Sequence, residues 1–353
     1  MNWAPAALGA AVAFAVGALA TALVAMLARR MGLVAKPNPI VPQHTRPVAH
    51  LGGLGLALGL GAGAAAVWLT GGASGIQAGL WGSAAAFVVV GAIDDVVAFG
   101  AAAKFGLQLL VAIGAVALGV WAPLTGVQLL DQGLAAFWIL MLVNAFNFVD
   151  VCDGLLATVT FVAMSTLAIA APVTVPVALP AAGACAGFLV FNRPPASIFM
   201  GDAGSHLLGF LSAALTLAVA REIPPPALAM GAGALLVGVP LFELVFLTAV
   251  RLHKGLPWWK GSPDHFALRL QAAGLTRAQT DLVAAGAGAL CGAGAIALIH
   301  VEHVATPFVV AVSACAAAAI AAVLLLRWEV QPRAAAASGP GPQAAPASSA
   351  HYP

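Results

Sequence analysis

The stretch GLWGSAAAFVVVGAIDDVVAFG at 79–100 carries no charge from 79 to 93 and then sets two aspartates side by side, Asp94 and Asp95. Its apolar residues are continuous and do not alternate, which points to a helix in an apolar medium and excludes a membrane β-barrel strand. Outward from it, similar runs occupy about 3–28, 51–70, 105–121, 134–146, 155–171, 175–191, 204–220, 228–250, 281–300 and 304–327. A bilayer core takes about 20 apolar residues. The pattern therefore predicts an all-α polytopic membrane protein of about eleven transmembrane helices, the shorter runs 79–93 and 134–146 drawing on flanking residues. The first run shows no cleavage site before Arg29-Arg30 and reads as a retained helix.

Composition agrees. Of 353 residues, 14 are Lys or Arg and 12 are Asp or Glu, which is 7% charged, against about 25% in a soluble domain. Hydrophobic residues make up 62%, and the mean hydropathy is +1.02. This excludes a disordered chain and a nucleic-acid binder built on a basic patch. The 39 glycines suit close helix packing in lipid. Cys152, Cys185, Cys291 and Cys315 have no paired spacing, which argues against a disulfide framework.

With eleven helices, one set of loops and helix ends holds Arg29, Arg30, Lys36, Arg46, Lys104, Arg193, Arg251, Lys254, Lys260, Arg269, Arg277, Arg327 and Arg333; the other holds Arg221. By the positive-inside rule the N-terminus is expected outside and the C-terminus in the cytoplasm. Trp68, Trp81, Trp121, Trp138 and Trp328 fall near run ends, as an interfacial belt would. Residues 1–330 read as one membrane domain, and the Ala/Pro/Ser-rich 331–353 as a disordered cytoplasmic tail.

Five acids stand where apolar runs meet cytoplasmic loops: Asp94, Asp95, Asp150, Asp153 and Asp202. Single aspartates there could cap helices. Capping does not call for the adjacent Asp94-Asp95 pair, which is costly at a membrane surface unless a cation neutralises it. Carboxylates with the amides Asn144, Asn147 and Asn192 make a hard-oxygen donor set of the kind Mg²⁺ prefers, while Zn²⁺ lacks a Cys/His cluster. Gly201-Asp202-Ala203-Gly204-Ser205 and Gly52-Gly53 each open a helix, so their N–H groups are expected to meet an anion. With Lys104, Arg193 and Arg269, this predicts a cytoplasm-facing, phosphate-handling site.

At these residues the sequence resembles the polyprenyl-phosphate N-acetylhexosamine-1-phosphate transferases of glycosyltransferase family 4. The motifs run in order from Lys36 to Arg277: PNPIVPQHTRPVAHLGG at 37–53, DDVVAFGAAAKFGLQ at 94–108, NAFNFVDVCDGL at 144–155, FNRPPASIFMGDAGS at 191–205 and WWKGSPDHFALRL at 258–270. The resemblance implies transfer of an N-acetylhexosamine 1-phosphate, GlcNAc before GalNAc, from a UDP-sugar to undecaprenyl phosphate with release of UMP. It also implies a multi-pass protein of the bacterial inner membrane, a homodimer, and Mg²⁺ as cofactor with Mn²⁺ as an alternative.

The resemblance further implies residue roles. Asp202 and Asn147 are expected metal ligands. Phe199 is expected to stack on uracil and Asp153 to hydrogen-bond it, with Asn144, Asn192 and Gly201 also facing substrate. Asp94 and Asp95 match the paired aspartates placed near the lipid phosphate or the metal, Asp94 acting as base or positioning the acceptor. Lys104 could hold a phosphate, while His265 and Arg269 would close over the diphosphate and sugar. Asp150 matches a catalytic aspartate, though Val151 stands where the family has glycine. His265 stands alone where the phospho-MurNAc-pentapeptide branch has adjacent histidines, which favours the GlcNAc branch.

Several residues carry a choice. Glu243, inside a run, is either functional or a buried hydrogen-bond partner; His206 reads as helix-face packing before ligation. His44, Arg46 and His50 either approach a nucleotide or face headgroups, and Trp258-Trp259 read as an interface anchor before a sugar platform. A secondary transporter is the competing class. It would place acids near the midplane in repeated halves, whereas here they gather on one side.

Overall fold

In a computed structural model, the protein is described over residues 3–37, 41, 44–72, 78–300 and 306–330. The tail expected at 331–353 lies outside the described residues. The helices are α1 (Ala4–Arg30), α2 (Gly52–Leu69), α3 (Ala78–Val97), α4 (Ala101–Ala117), α5 (Gln128–Val149), α6 (Leu155–Ala170), α7 (Val175–Asn192), α8 (Gly201–Glu222), α9 (Pro226–Leu236), α10 (Gly238–His253), α11 (Phe266–Ala272), α12 (Arg277–His300) and α13 (Thr306–Leu325). Among the described residues, α1, α2, α3, α5, α7, α8, α12 and α13 are long and apolar enough to cross a bilayer. The protein is an all-α, multi-pass membrane protein.

Each of the eleven apolar runs coincides with helix. The runs 79–93 and 134–146 extend to 78–97 and 128–149, so their flanks do supply the missing length. The run 228–250, expected as one helix, is α9 and α10 meeting at 79°. Continuing α9 through Val237 would need an N–H from residue 240 to the carbonyl of Leu236, and Pro240 has none. The α4 and α6 helices are shorter apolar helices of 17 and 16 residues.

Glycine sets the close packing of α1, α2 and α7. A Cβ on Gly59 of α2 would stand 2.5 Å from Cα of Gly17 on α1, and one on Gly183 of α7 would stand 2.2 Å from the Ala10 carbonyl oxygen. Without glycine there, the backbones would have to part. The α8 helix is buried almost throughout, enclosed by α2, α3, α5 and α9. A short antiparallel hairpin, β1 (Val34–Ala35) with β2 (Val48–Ala49), bridges to Ile198 and ties the 44–53 segment to the loop before α8.

Candidate active site

A cavity of about 940 Å³ opens where the ends of α3, α4, α5, α8 and α10 meet the loops after α1, α5, α7 and α10. Lys104, near the start of α4, lines it and bridges two carboxylates. Its Nζ is 2.5 Å from Asp202 Oδ2 and 3.0 Å from Asp94 Oδ2. Asn147, in the last turn of α5, donates from Nδ2 to Asp202 Oδ1 at 2.5 Å and to Ser205 Oγ at 3.1 Å. Three helices thus converge on Asp202 in the first turn of α8.

The adjacent aspartates divide their work. Asp94 lines the cavity and faces Lys104, while Phe99 N–H donates to its other oxygen at 2.6 Å. Asp95 accepts the backbone N–H groups of Asp202 (2.7 Å) and Ala203 (3.2 Å), so it caps α8 from another helix. A carboxylate at a helix N-terminus meets both free N–H groups and the positive end of the dipole. Gly201 makes this possible: its φ is +75°, and a Cβ there would stand 2.6 Å from the Asp95 carboxylate. The anion expected at this helix start is therefore the protein's own. Gly52 and Gly53 likewise donate to the carbonyls of Phe199 (2.9 Å) and Met200 (2.7 Å), so neither N–H awaits a ligand.

Asp150, just beyond α5, lines the same cavity. Burial, with the negative charges of Asp202 and Asp95, pushes its carboxyl up to about 8. Asp94, Asp95, Asp150 and Asp202 thus outnumber Lys104, with His50 Nδ1 lying 3.9 Å from Asp95. Among the described residues no three His, Cys, Asp or Glu side chains form a ready metal cage. Hard oxygens, uncompensated negative charge and an open cavity nevertheless fit Mg²⁺, which keeps waters and binds through one or two carboxylates plus substrate phosphates. Asp202, Asp94 and Asp150 would supply carboxylate oxygens, and Asn147, whose Nδ2 is engaged, its Oδ1.

At the far wall, Asp153 Oδ2 accepts from Ala196 N–H at 3.0 Å and pairs with Arg277. Phe199 meets the His44 ring edge-on at 5.0 Å. Burial holds His44 below its ordinary value. Cys152 accepts from Gln271 Nε2 at 3.2 Å, and burial pushes its thiol up to about 12, so it stays protonated near neutrality. His265 also lines the cavity. Its Nδ1 is 2.6 Å from Oε1 of the fully buried Glu243, whose Oε2 accepts Phe266 N–H at 3.2 Å. Glu243 is thus a buried hydrogen-bond partner that orients His265, leaving Nε2 to the cavity.

Three expected site residues are placed differently. Arg269 is 1% exposed and does not line the cavity. Its guanidinium binds the Asp264 carboxylate at 2.6 Å and the carbonyls of Leu325 and Trp328 at 3.3 and 2.9 Å, bracing α11 on the end of α13. Asn144, one turn below Asn147, bonds Gln108 and the Leu140 carbonyl away from the cavity. Asn192 touches the wall, but its oxygen accepts Gly154 N–H at 3.0 Å and its nitrogen donates to the Ile198 carbonyl at 2.8 Å, so it fixes loops. The sequence reading missed Arg251 and Arg277 as cavity walls. Arg251 donates to Ser262 Oγ (3.1 Å) and the Trp258 carbonyl (2.7 Å), with Phe148 under its guanidinium. A charge at the end of an apolar run, the signal that singled out the aspartates, also marks Arg251. Trp259, half exposed, lines the cavity, while Trp258 packs edge-on against Phe105.

Residues 77–220 match the sequence profile of the family described as glycosyl transferase family 4, a span that includes Lys104, Asn147 and Asp202. The chain is 30% identical over 211 residues to a Bacillus subtilis protein named probable undecaprenyl-phosphate N-acetylglucosaminyl 1-phosphate transferase, covering 56% of this chain and 58% of that one. It is 35% identical over 237 residues to the decaprenyl-phosphate N-acetylglucosaminephosphotransferase of Mycobacterium tuberculosis, covering 58% of each. It is 40% identical over 148 residues to the phospho-N-acetylmuramoyl-pentapeptide-transferase of Deinococcus radiodurans, covering 35% of this chain and 46% of that one. The chain thus spans less than two thirds of the length of these relatives. The profile covers the four helices that carry the aspartates, Lys104 and Asn147, so over that span the chain is similar to glycosyl transferase family 4.

Proposed function

We propose that the protein transfers N-acetylglucosamine 1-phosphate from UDP-N-acetylglucosamine to undecaprenyl phosphate, on the cytoplasmic side of the bacterial inner membrane. The product is a lipid-linked sugar diphosphate that initiates a cell-envelope glycan. The observation that carries this reading is the Lys104 ammonium set between Asp94 and Asp202, at the mouth of a helix bundle where a lipid and a nucleotide can both arrive. The longer matches, to relatives named for N-acetylglucosamine phosphate, support the sugar.

In this reaction an oxygen of the lipid phosphate attacks the sugar-bearing phosphorus, and the bond to the bridging oxygen breaks as UMP leaves. Such a step needs positioning and charge neutralisation more than covalent chemistry. Lys104 turns from its carboxylates to the incoming phosphate oxygens. Asp202 and the Asn147 oxygen, with Asp94 and Asp150, would hold Mg²⁺, which would supply neutralisation of the diphosphate charge. Asp94 positions the acceptor phosphate, which is already largely ionised near neutrality and needs no strong base. Phe199 and His44 offer an aromatic wall to uracil beside Asp153 and Arg277. Arg251 and His265 flank the diphosphate from the α10 side.

The test is purified protein in detergent with undecaprenyl phosphate, Mg²⁺ and a panel of UDP-N-acetylhexosamines, scored for UMP and lipid-linked sugar. Turnover with UDP-N-acetylglucosamine supports the reading. Turnover confined to UDP-N-acetylmuramoyl-pentapeptide would move it to the branch named by the Deinococcus relative, and no product from any donor would end it.

A further inference from the structure

The three helices that meet at Asp202 repeat their meeting one turn deeper. Gln108 follows Lys104 by four residues on α4, Asn144 precedes Asn147 by three on α5, and His206 follows Asp202 by four on α8. Each deeper residue therefore lies on the same helix face as its cavity partner. Gln108 and His206 are fully buried. Polar groups at such depth are costly unless bonded to one another.

Their hydrogen bonds have one consistent direction. The Leu140 carbonyl can only accept, so the Asn144 atom 2.8 Å from it is its NH₂. The same NH₂ donates to Gln108 Oε1 at 2.9 Å. Gln108 therefore presents its own NH₂ to His206 Nε2, 3.0 Å away. His206 Nε2 must accept, which puts the ring proton on Nδ1. That Nδ1 is buried and has no partner among the described residues, and Phe87 packs edge-on against the ring. A leucine would fill this place without leaving a donor unpaired, so packing alone does not account for a histidine here.

The α4 helix packs on α3 and α5, and two polar bridges reach from it to α8: Lys104 to Asp202 and Gln108 to His206. In the transferase reading the upper bridge must open each time Lys104 leaves Asp202 for a phosphate. We propose that Gln108, Asn144 and His206 form a positioning layer that holds α4 against α8 while the upper bridge is open, keeping Lys104 over Asp202. These three are positioning residues, since none touches the cavity.

The turnover arm of the test rests on the transferase reading; the spectroscopic arm does not. Gln108→Leu and His206→Leu are expected to lower kcat roughly 10–100-fold, the scale of losing a supporting residue behind a reactive centre. The KM for the UDP-sugar stays within about threefold, with kcat taken per folded molecule because Gln108→Leu leaves the buried His206 Nε2 without its donor. His206→Gln, whose Oε1 can still accept from Gln108, recovers most of kcat. Folded leucine variants with kcat within about twofold of wild type, or a change in KM alone, would overturn the proposal. Independently, ¹⁵N-histidine spectra of the detergent-solubilised protein, with the His206 signal assigned by its loss in His206→Gln, should show the Nδ1-protonated tautomer, disturbed by Gln108→Leu. An Nε2-protonated ring, or a signal indifferent to Gln108→Leu, overturns the layer whether or not the protein turns over a UDP-sugar.

Discussion

The cluster around Lys104 and the cluster around Arg269 are built from the same materials, cations and aspartates at helix ends, and come to opposite electrostatic states. Around Lys104 the carboxylates are in excess, and Asp150 is pushed up to about 8 by burial and by Asp202 and Asp95. Around Arg269 the cations are in excess. Burial alone would raise Asp264, but Lys254 at 2.8 Å and Arg269 at 2.6 Å outweigh it and hold that carboxyl below its ordinary value. The first cluster faces a cavity, with the Lys104 and Asp202 side chains each 21% exposed, whereas Arg269 and Asp264 are 2% exposed. A satisfied, dry ion pair is a brace. An unsatisfied, wet one still has capacity to bind a cation and a phosphate.

That contrast sets the order of expected effects. Asp202→Asn removes the carboxylate on which α4, α5 and α8 converge, and UMP release should fall on the order of 10³-fold with the melting temperature unchanged. A near-wild-type rate would show that Asp202 is not the centre of the site. Lys104→Met should cost about 10²-fold, because Asp94 and Asp202 are left without their shared cation. Retention of full rate would assign the phosphate to another residue, with Arg251 the first alternative.

Arg269→Ala should act on the fold. Breaking a buried pair costs about 3–5 kcal/mol, so the melting temperature in detergent should drop while turnover per folded molecule stays within about threefold. A rise in KM for the UDP-sugar at unchanged stability would return Arg269 to the cavity. The smallest effect concerns Asp150. A carboxyl raised from 3.8 to about 8 holds a proton in the folded state that the unfolded chain has released. It therefore stabilises most at low pH, and this contribution is lost as pH rises toward 8. In EDTA, wild type should lose stability across that window and Asp150→Asn should lose less. Added Mg²⁺ should flatten the wild-type slope by replacing the proton. Parallel melting curves for the two proteins would show that Asp150 is not raised.

Much of this was legible in the residues. Adjacent acids ending an apolar run marked Asp94 and Asp95, and the FMGDAGS turn marked Asp202. The division between Asp94 and Asp95 was not legible, because it depends on the start of α8, 107 residues from Asp95. Nor could the sequence separate Arg269 from Arg251: both are single cations beside apolar stretches and both are buried, and only the packing of α11 on α13 commits one to the fold while α10 sets the other in the cavity wall. Glu243 was a choice between two roles until α11 brought His265 to it.

The sequence by itself determined a polytopic helical membrane protein with its acids gathered at helix ends, because hydrophobicity over 15 to 25 neighbouring residues is a local property that lipid reads directly. The tertiary structure alone decided which of those charges bind the protein and which remain for a ligand. An ionic group's role depends on what stands within a few ångströms of it, and here the partners of Lys104 and Asp95 on α8 lie 98 and 107 residues away along the chain.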